Sequence, residues 1–348
     1  MMTCDDATLS QMVLHRVGNK ANNEPLHLSK APFVIDNEIA PVLLKYFTSP
    51  FKSSLYYTFS MEGDQHRRTV YEAAKQIFEN PKQNLYEASC RIAEHLYDVS
   101  LHPNIKQGEL YVAHLENCYL DGEILDAIGI FKSETRETYL KIYPKGEDFG
   151  IESDNGININ KLDKGCLIFN KEADDGFVIS VVDAVSRGTE AVYWTDDFLS
   201  LVQRQDSYFK TDNMLNICKN FVTDYLPQEY ELSKADQADF LNRSGEYFKE
   251  NRNFDTDMYT GKVFADDELQ DRFRQYKQMY ENENGMSVDD NFVMNADALK
   301  RASRYLRSVI KLDKNFTIYI YGKRDRVEIG EDEERGLHYY KFYFDKES

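Results

Sequence analysis

Residues 109–132 read ELYVAHLENCYLDGEILDAIGIFK, and the fold class turns on them. Apolar and polar side chains alternate through 110–118 and again through 125–132, the period of two that marks a strand. Between the runs stands Asp121-Gly122, a dipeptide suited to the positive φ angles of a tight hairpin. Further strands are expected over 137–142, 166–169 and 177–182. Turns follow at Pro144-Lys145-Gly146, Asp154-Asn155-Gly156 and Asp175-Gly176. Connections this short leave no room for crossover helices, so the segment predicts an antiparallel meander within an α+β fold.

Upstream, residues 8–17 look extended and GNKANNE (18–24) makes a turn. Asp36 is placed to cap a helix through Phe47, with Pro41 in its first turns. Residues 49–64 are aromatic and irregular, and helical spacing returns over 70–78 and 85–97. In the second of these Ala88, Ile92, Ala93 and Leu96 share a face. His102-Pro103 breaks the chain, and 194–203 reads as a helix. Past Asp206 the composition turns to polar helices over 212–225, 233–249 and 266–281. Ser233 and Asp236 form a capping box at the second of them. A basic helix over 295–311, capped by Asn295, precedes short strands at 316–321, 326–329 and 339–344. The expected layout is an α+β domain with a mainly antiparallel sheet over 1–205, a helical region over 206–290, and a small α+β part over 291–348.

Composition narrows the class. With 42% hydrophobic and 13% aromatic residues, 24 of them Tyr and 21 Phe, the chain has material for packed cores and is not disordered. No run reaches the roughly 18 apolar residues that span a bilayer, so no membrane partner is expected. MMTCDDATLSQ at the N-terminus lacks the basic and apolar regions of a secretory signal. Cys4, Cys90, Cys118, Cys166 and Cys218 are scattered without a CxxC pair, as in a reduced cytoplasmic protein.

Catalytic signatures are missing: no HExxH, GxxxxGK[ST], GxSxG or GxGxxG occurs. The seven His show no ligand spacing, and His114 alternates with Val112 and Leu110 as a strand residue does. Asp174-Asp175-Gly176 and Asp121-Gly122-Glu123 have the makeup of turns rather than of hydrolytic carboxylate pairs. The expectation is no enzyme, no metal and no cofactor.

Charge is distributed unevenly. The chain carries −18, yet 300–326 holds nine Lys/Arg against two Asp, a local +7. Lys300, Arg304, Arg307 and Lys311 fall at i, i+4, i+7 and i+11, within roughly 60° on a helix. Leu299, Ala302, Leu306, Val309 and Ile310 take the other side. Such a stripe on an acidic protein suits a phosphate backbone. Alternatively it is a solvated face neutralised by the chain's own carboxylates.

Two blocks carry a resemblance. One is AIGIFKSETRETYLKI, GININKLDKGCLIFN and GFVISVVDAVSRGTEAVYWTDDFLSLV between 127 and 202. The other is NFVMNADALKRASRYLRSVIKLDKNFTIYIYGK at 291–323. With the opening LSQMVLHRVGN, the chain resembles the bacterial nucleoid-associated family of NdpA type. The features that match are the lead-in Ile159, Asn160, Leu162, Asp163 and the stretch Gly188, Trp194, Phe198 entering a helix. The resemblance implies a cytoplasmic protein found with the nucleoid, binding DNA or associating with DNA-handling proteins, with no catalytic motif to transfer.

Together these readings predict a non-enzymatic protein on duplex DNA, with RNA left open as a partner. Lys300, Arg304, Arg307 and Lys311 would bond phosphate oxygens, Arg301 would edge the stripe, and Lys323, Arg324 and Arg326 would extend it from the following hairpin. Phosphate contacts position a protein without reading bases, so little sequence preference is expected. Two copies would bind far better than one, which favours a homodimer. One rival is an acidic interaction module acting on DNA-handling proteins. The other is a phosphodiester enzyme built from scattered carboxylates. The cysteine pattern gives the first test: thiol titration of freshly purified, denatured and unreduced protein should count five free thiols, and a count of three or fewer would contradict it.

Overall fold

The computed structural model describes residues 2–61, 67–184, 193–302, 306, 309–320 and 324–346, with Arg301 and Ala302 described by their backbone alone. Its contacts fall into two compact units, 1–204 and 205–348.

The first unit runs β1 (Met2–Thr3), β2 (Thr8–Val17), α1 (Ile39–Thr48), β3 (Tyr57–Phe59), α2 (Thr69–Glu79) and α3 (Pro81–Val99). It continues β4 (Gly108–Leu120), β5 (Glu123–Ser133), β6 (Glu137–Lys145), β7 (Asp148–Gly156), β8 (Lys164–Phe169), β9 (Val178–Asp183) and β10 (Leu201–Gln203). One sheet takes the order β1-β4-β5-β8-β9-β3-β10, with β2 also on β4, and every pairing is antiparallel. The expected meander is therefore present. Its β4–β5 turn has Asp121 at φ 49° and Gly122 at φ 95°, both positive as the dipeptide implied.

Both faces of this sheet are covered. Leu110, Val112, Ile128, Ile130 and Ile168 face α2 and α3 through Val70, Ile77, Ile92 and Leu96. Tyr111, Ala113, Leu115, Phe131 and Leu167 face Tyr46, Phe47 and Phe51 at the end of α1. Phe47 stacks on Phe131 with ring centroids 4.2 Å apart. Asp36 caps α1 as expected, accepting from the Glu38 and Ile39 amides at 2.9 and 2.8 Å. Asp154-Asn155-Gly156 is not a turn but the end of β7, paired with 137–139. The run 194–203 is not a regular helix either: a single wide turn, Tyr193–Phe198, buries Trp194 and Phe198 and hands the chain to β10.

The second unit contains α4 (Ser207–Asn220), α5 (Leu226–Glu229), α6 (Lys234–Glu250), β11 (Asn253–Asp255), α7 (Thr256–Val263), α8 (Asp267–Glu283), β12 (Asn291–Val293) and α9 (Ala296–Ala302). Then come β13 (Val309–Leu312), β14 (Phe316–Tyr319), β15 (Val327–Asp332) and β16 (Leu337–Phe342). A wide turn at Phe221–Tyr225 precedes Pro227, which has no amide to give to α5. Phe221, Phe254, Tyr259, Phe264 and Phe273 form the core. The capping box is complete: Ser233 accepts from the Asp236 amide, and Asp236 accepts from that of Ser233.

All five cysteines are free thiols. Cys4 follows Thr3, which pairs with Tyr119, so it faces Cys118 across the β1–β4 ladder. A hydrogen bond from the Cys118 thiol lowers the Cys4 pKa.

His15, on β2, is 2% exposed. Its Nδ1 accepts the Ser29 amide at 3.2 Å and its Nε2 lies 3.0 Å from the Ser89 hydroxyl, which donates to Tyr86 O at 2.7 Å. The ring is thus neutral with its proton on Nε2, and burial lowers its pKa from 6.5 to about 4. The unfolded chain takes up this proton near pH 6.5, the folded chain only near pH 4. Stability should therefore fall as pH drops through that window, by about 3 kcal/mol from this group. Denaturant unfolding of the parent and His15→Gln at pH 7 and pH 4 checks it: the variant should lose less by about that amount.

Candidate nucleic-acid interface

The basic segment begins where α4 holds α9. Thr211 Oγ1 accepts the Asn295 amide at 2.9 Å, and Asn295 Oδ1 then caps α9 by accepting from the Asp297 and Ala298 amides. The single helix expected over 295–311 is not formed. Asn295 does cap a helix, α9, described over Ala296–Ala302, but residues 309–312 are strand β13, paired with β14. Val309, Ile310 and Leu312 include β-branched residues that favour the ladder. Ile310 is fully buried against Ala235 and Ala238 of α6, with Ile320 and Val327. Tertiary burial outweighs the helical period here.

The cations are consequently dispersed. Lys300 is exposed on α9 and bonds Asp297 at 3.0 Å, one turn back. Lys311 is exposed on β13, not on the helix with Lys300, and has no carboxylate partner among the described residues. Arg324 is half-buried. Its Nε donates to Asp236 Oδ1 at 2.7 Å and its Nη1 to Val327 O. Burial works against the Asp236 charge, but the Ser233 hydroxyl and the Arg324 guanidinium outweigh it and hold that carboxyl below its ordinary range. Arg326 is exposed and pairs with Asp345 at 2.9 Å. The side chain of Arg301, and all of Arg304, Arg307 and Lys323, lie outside the described residues.

Two other groups have residue types that catalysis uses. Ser10 sits at a bulge in β2, its Oγ 2.6 Å from His114 Nδ1, and His114 Nε2 is 3.3 Å from Asp126 Oδ2. Yet that Nε2 makes no hydrogen bond, because the carboxylate is close but out of line. A carboxylate so placed does not fix the imidazole tautomer as a hydrolase relay requires. No cluster of three His, Cys, Asp or Glu suited to a metal occurs among the described residues.

The second group is buried at the end of the sheet. Lys132 and Lys164 are each 1% exposed. Lys132 Nζ donates to Lys106 O at 2.7 Å, to Glu134 Oε1 at 2.8 Å and to Tyr193 OH at 3.4 Å, while Tyr193 donates to Glu134 at 3.1 Å. All three ammonium protons are thus committed within the chain. Lys164 bonds both oxygens of Asp183, at 2.9 and 2.8 Å, and its Nζ lies 5.0 Å from the Tyr193 ring centroid. Burial lowers the Lys132 pKa, against the pull of Glu134. Sequence reading missed this cluster. The only trace was Lys132 closing one strand that otherwise read as core and Lys164 two residues ahead of another.

Residues 13–335 match the family described as nucleoid-associated protein YejK. The chain belongs to that family. No curated protein matches it.

Of the two blocks through which the sequence resembles nucleoid-associated proteins, 127–202 contains the buried lysines and 291–323 belongs to the second unit. Of the lead-in residues, Leu162 is in the core, and Asp163 accepts from the Glu134 and Thr135 amides at 2.6 and 2.8 Å and from the Thr135 hydroxyl at 2.9 Å. Trp194 and Phe198 pack at 4.9 Å, and Gly188 lies outside the described residues. Leu162, Asp163, Trp194 and Phe198 are buried in the first unit, while Ile159 and Asn160 are exposed. Removing one charge of the Lys132–Glu134 pair strands the other in the protein interior. Glu134→Leu should therefore cost about 3 kcal/mol in denaturant unfolding, and adding Lys132→Met should restore most of it.

Proposed function

We propose that this nucleoid-associated protein is not an enzyme, is cytoplasmic, and binds duplex DNA directly with little sequence preference through the segment 300–326. The observation that carries this reading is the local charge of +7 in a chain of −18, within the match to a nucleoid-associated family. Opposed charge at short range acts while the distant acidic surface is screened beyond about 8 Å in the cell.

Arg324 serves as an anchor: its bond to Asp236 fixes the start of β15 on α6. The phosphate contacts fall to Lys300, Arg301, Arg304, Arg307, Lys311, Lys323 and Arg326. Lys300 and Arg326 must exchange Asp297 and Asp345 for phosphate, a cheap exchange at exposed ion pairs worth about 0–1 kcal/mol. Those same pairs favour the second reading, an acidic module that meets DNA-handling proteins and leaves naked DNA alone.

Titration of duplex DNA against salt decides between them. Log K should fall with log salt at a slope of about −6, roughly −0.9 for each of these phosphate contacts. Arg304→Ala with Arg307→Ala should flatten the slope by about two and weaken all sequences alike. An unchanged slope in that variant removes the stripe from the interface. A parent that ignores DNA at low salt supports the interaction module, and divalent-metal-dependent cleavage of the DNA would mark an enzyme.

A further inference from the structure

The hairpin β6–β7 forms a two-stranded sheet of its own, inserted between β5 and β8, which pair directly with each other. Cross-strand partners share a face, so its register sorts the side chains. One face carries Tyr139 opposite Asp154, Lys141 opposite Glu152, Tyr143 opposite Gly150 and Lys145 opposite Asp148. This face satisfies itself. Lys141 and Glu152 pair at 3.2 Å. The Tyr143 ring lies over Gly150, where a Cβ would come within 2.6 Å of it.

The other face carries Leu140 opposite Ser153, Ile142 opposite Ile151 and Pro144 opposite Phe149. Leu140 is 70% exposed, Ile142 64%, Ile151 68% and Phe149 76%. No charged residue sits among them. An isolated two-stranded ribbon is marginal in water, and an uncharged aliphatic patch of this extent marks a surface that another surface covers.

We propose that this face of β6–β7 is a homodimer contact, packed on the same face of a second copy. A twofold interface requires a patch that complements itself. This one has a central Ile142–Ile151 pair with apolar neighbours on both sides and no charge to oppose its own image. The four exposed side chains present roughly 500 Å² per chain, so self-pairing buries about 1,000 Å², the lower bound of a specific interface. Charge disfavours other occupants. The face holds no cation for DNA or anionic lipid and no carboxylate for a basic protein, and the chain's −18 repels an acidic membrane surface. The contact does not depend on how the chain binds DNA.

Sedimentation of the full chain over a micromolar concentration series tests the contact. The parent should show a monomer–dimer equilibrium. Ile142→Lys with Ile151→Lys should be monomeric throughout, weakened at least about 100-fold by burying like charges. Its circular dichroism should be unchanged, because both sites are exposed in the monomer, and its Tm should match that of the parent diluted to monomer. If that variant fails to fold, Ile142→Thr with Ile151→Thr retains strand propensity and should still weaken the dimer. Reversing the opposite face, Lys141→Glu with Glu152→Lys, should leave dimerisation intact. A parent that stays monomeric overturns the proposal, as does a folded apolar-face variant that still dimerises. A monomeric parent that co-sediments with phosphatidylcholine vesicles also overturns it, assigning the face to lipid.

Discussion

Water must be kept from both faces of β4, and most of the first unit is arranged to do so. Leu110 and Val112 enter one core while Tyr111, Ala113 and Leu115 enter the other. This antiparallel sheet therefore needs helices on one side and the aromatic end of α1 on the other. Two apolar faces leave a weakness, because a one-residue slip would exchange one buried set for another at little hydrophobic cost. Directional groups oppose the slip. The Asp121-Gly122 turn sets β4 against β5, and His15, Lys132 and Asp163 find their partners only in the observed alignment. Satisfied buried polar groups specify an arrangement that burial alone would leave loose.

Where period and turn chemistry agreed, the sequence was legible. The strands read at 110–118, 125–132, 137–142, 166–169 and 177–182, the helices of α2, α3, α6 and α8, and the Ser233–Asp236 cap all follow from local pattern, whereas β7 was not read. The misreadings have local causes too. Asp154-Asn155-Gly156 has turn composition, but the β6–β7 pairing extends through it because the partner strand continues. Residues 253–255 and 291–293 are too short to signal a strand, and pair only because α7 and α8 bring them together. Residues 309–312 fit a helical stripe, yet burial of Ile310 against α6 makes them strand.

The candidate interface was legible as charge and not as geometry. Counting Lys and Arg located the basic segment, but not that Arg324 would be spent on Asp236, or that Lys311 would leave the helix of Lys300. Exposure and pairing depend on which carboxylates the fold brings near, and those lie far away in the chain: Asp236 is 88 residues from Arg324. The buried lysines were unreadable because their burial is set by the sheet, although Glu134 stands only two residues from Lys132. Asp183 becomes the partner of Lys164 only when β8 and β9 lie side by side.

The order of strands also bears on how the protein is made. Thr8 pairs with Glu116 and Val17 with Gly108, while β3 at residues 57–59 waits for β10 at 201–203. A growing chain that has just released β2 has nothing to lay it against, and loop closure over such separations is slow. Met12, Val13 and Val17 stay solvated in the interval, a span in which nascent strands associate wrongly or recruit chaperones. The sheet is complete only when synthesis has passed Gln203, so the second unit is already emerging while the first is still closing.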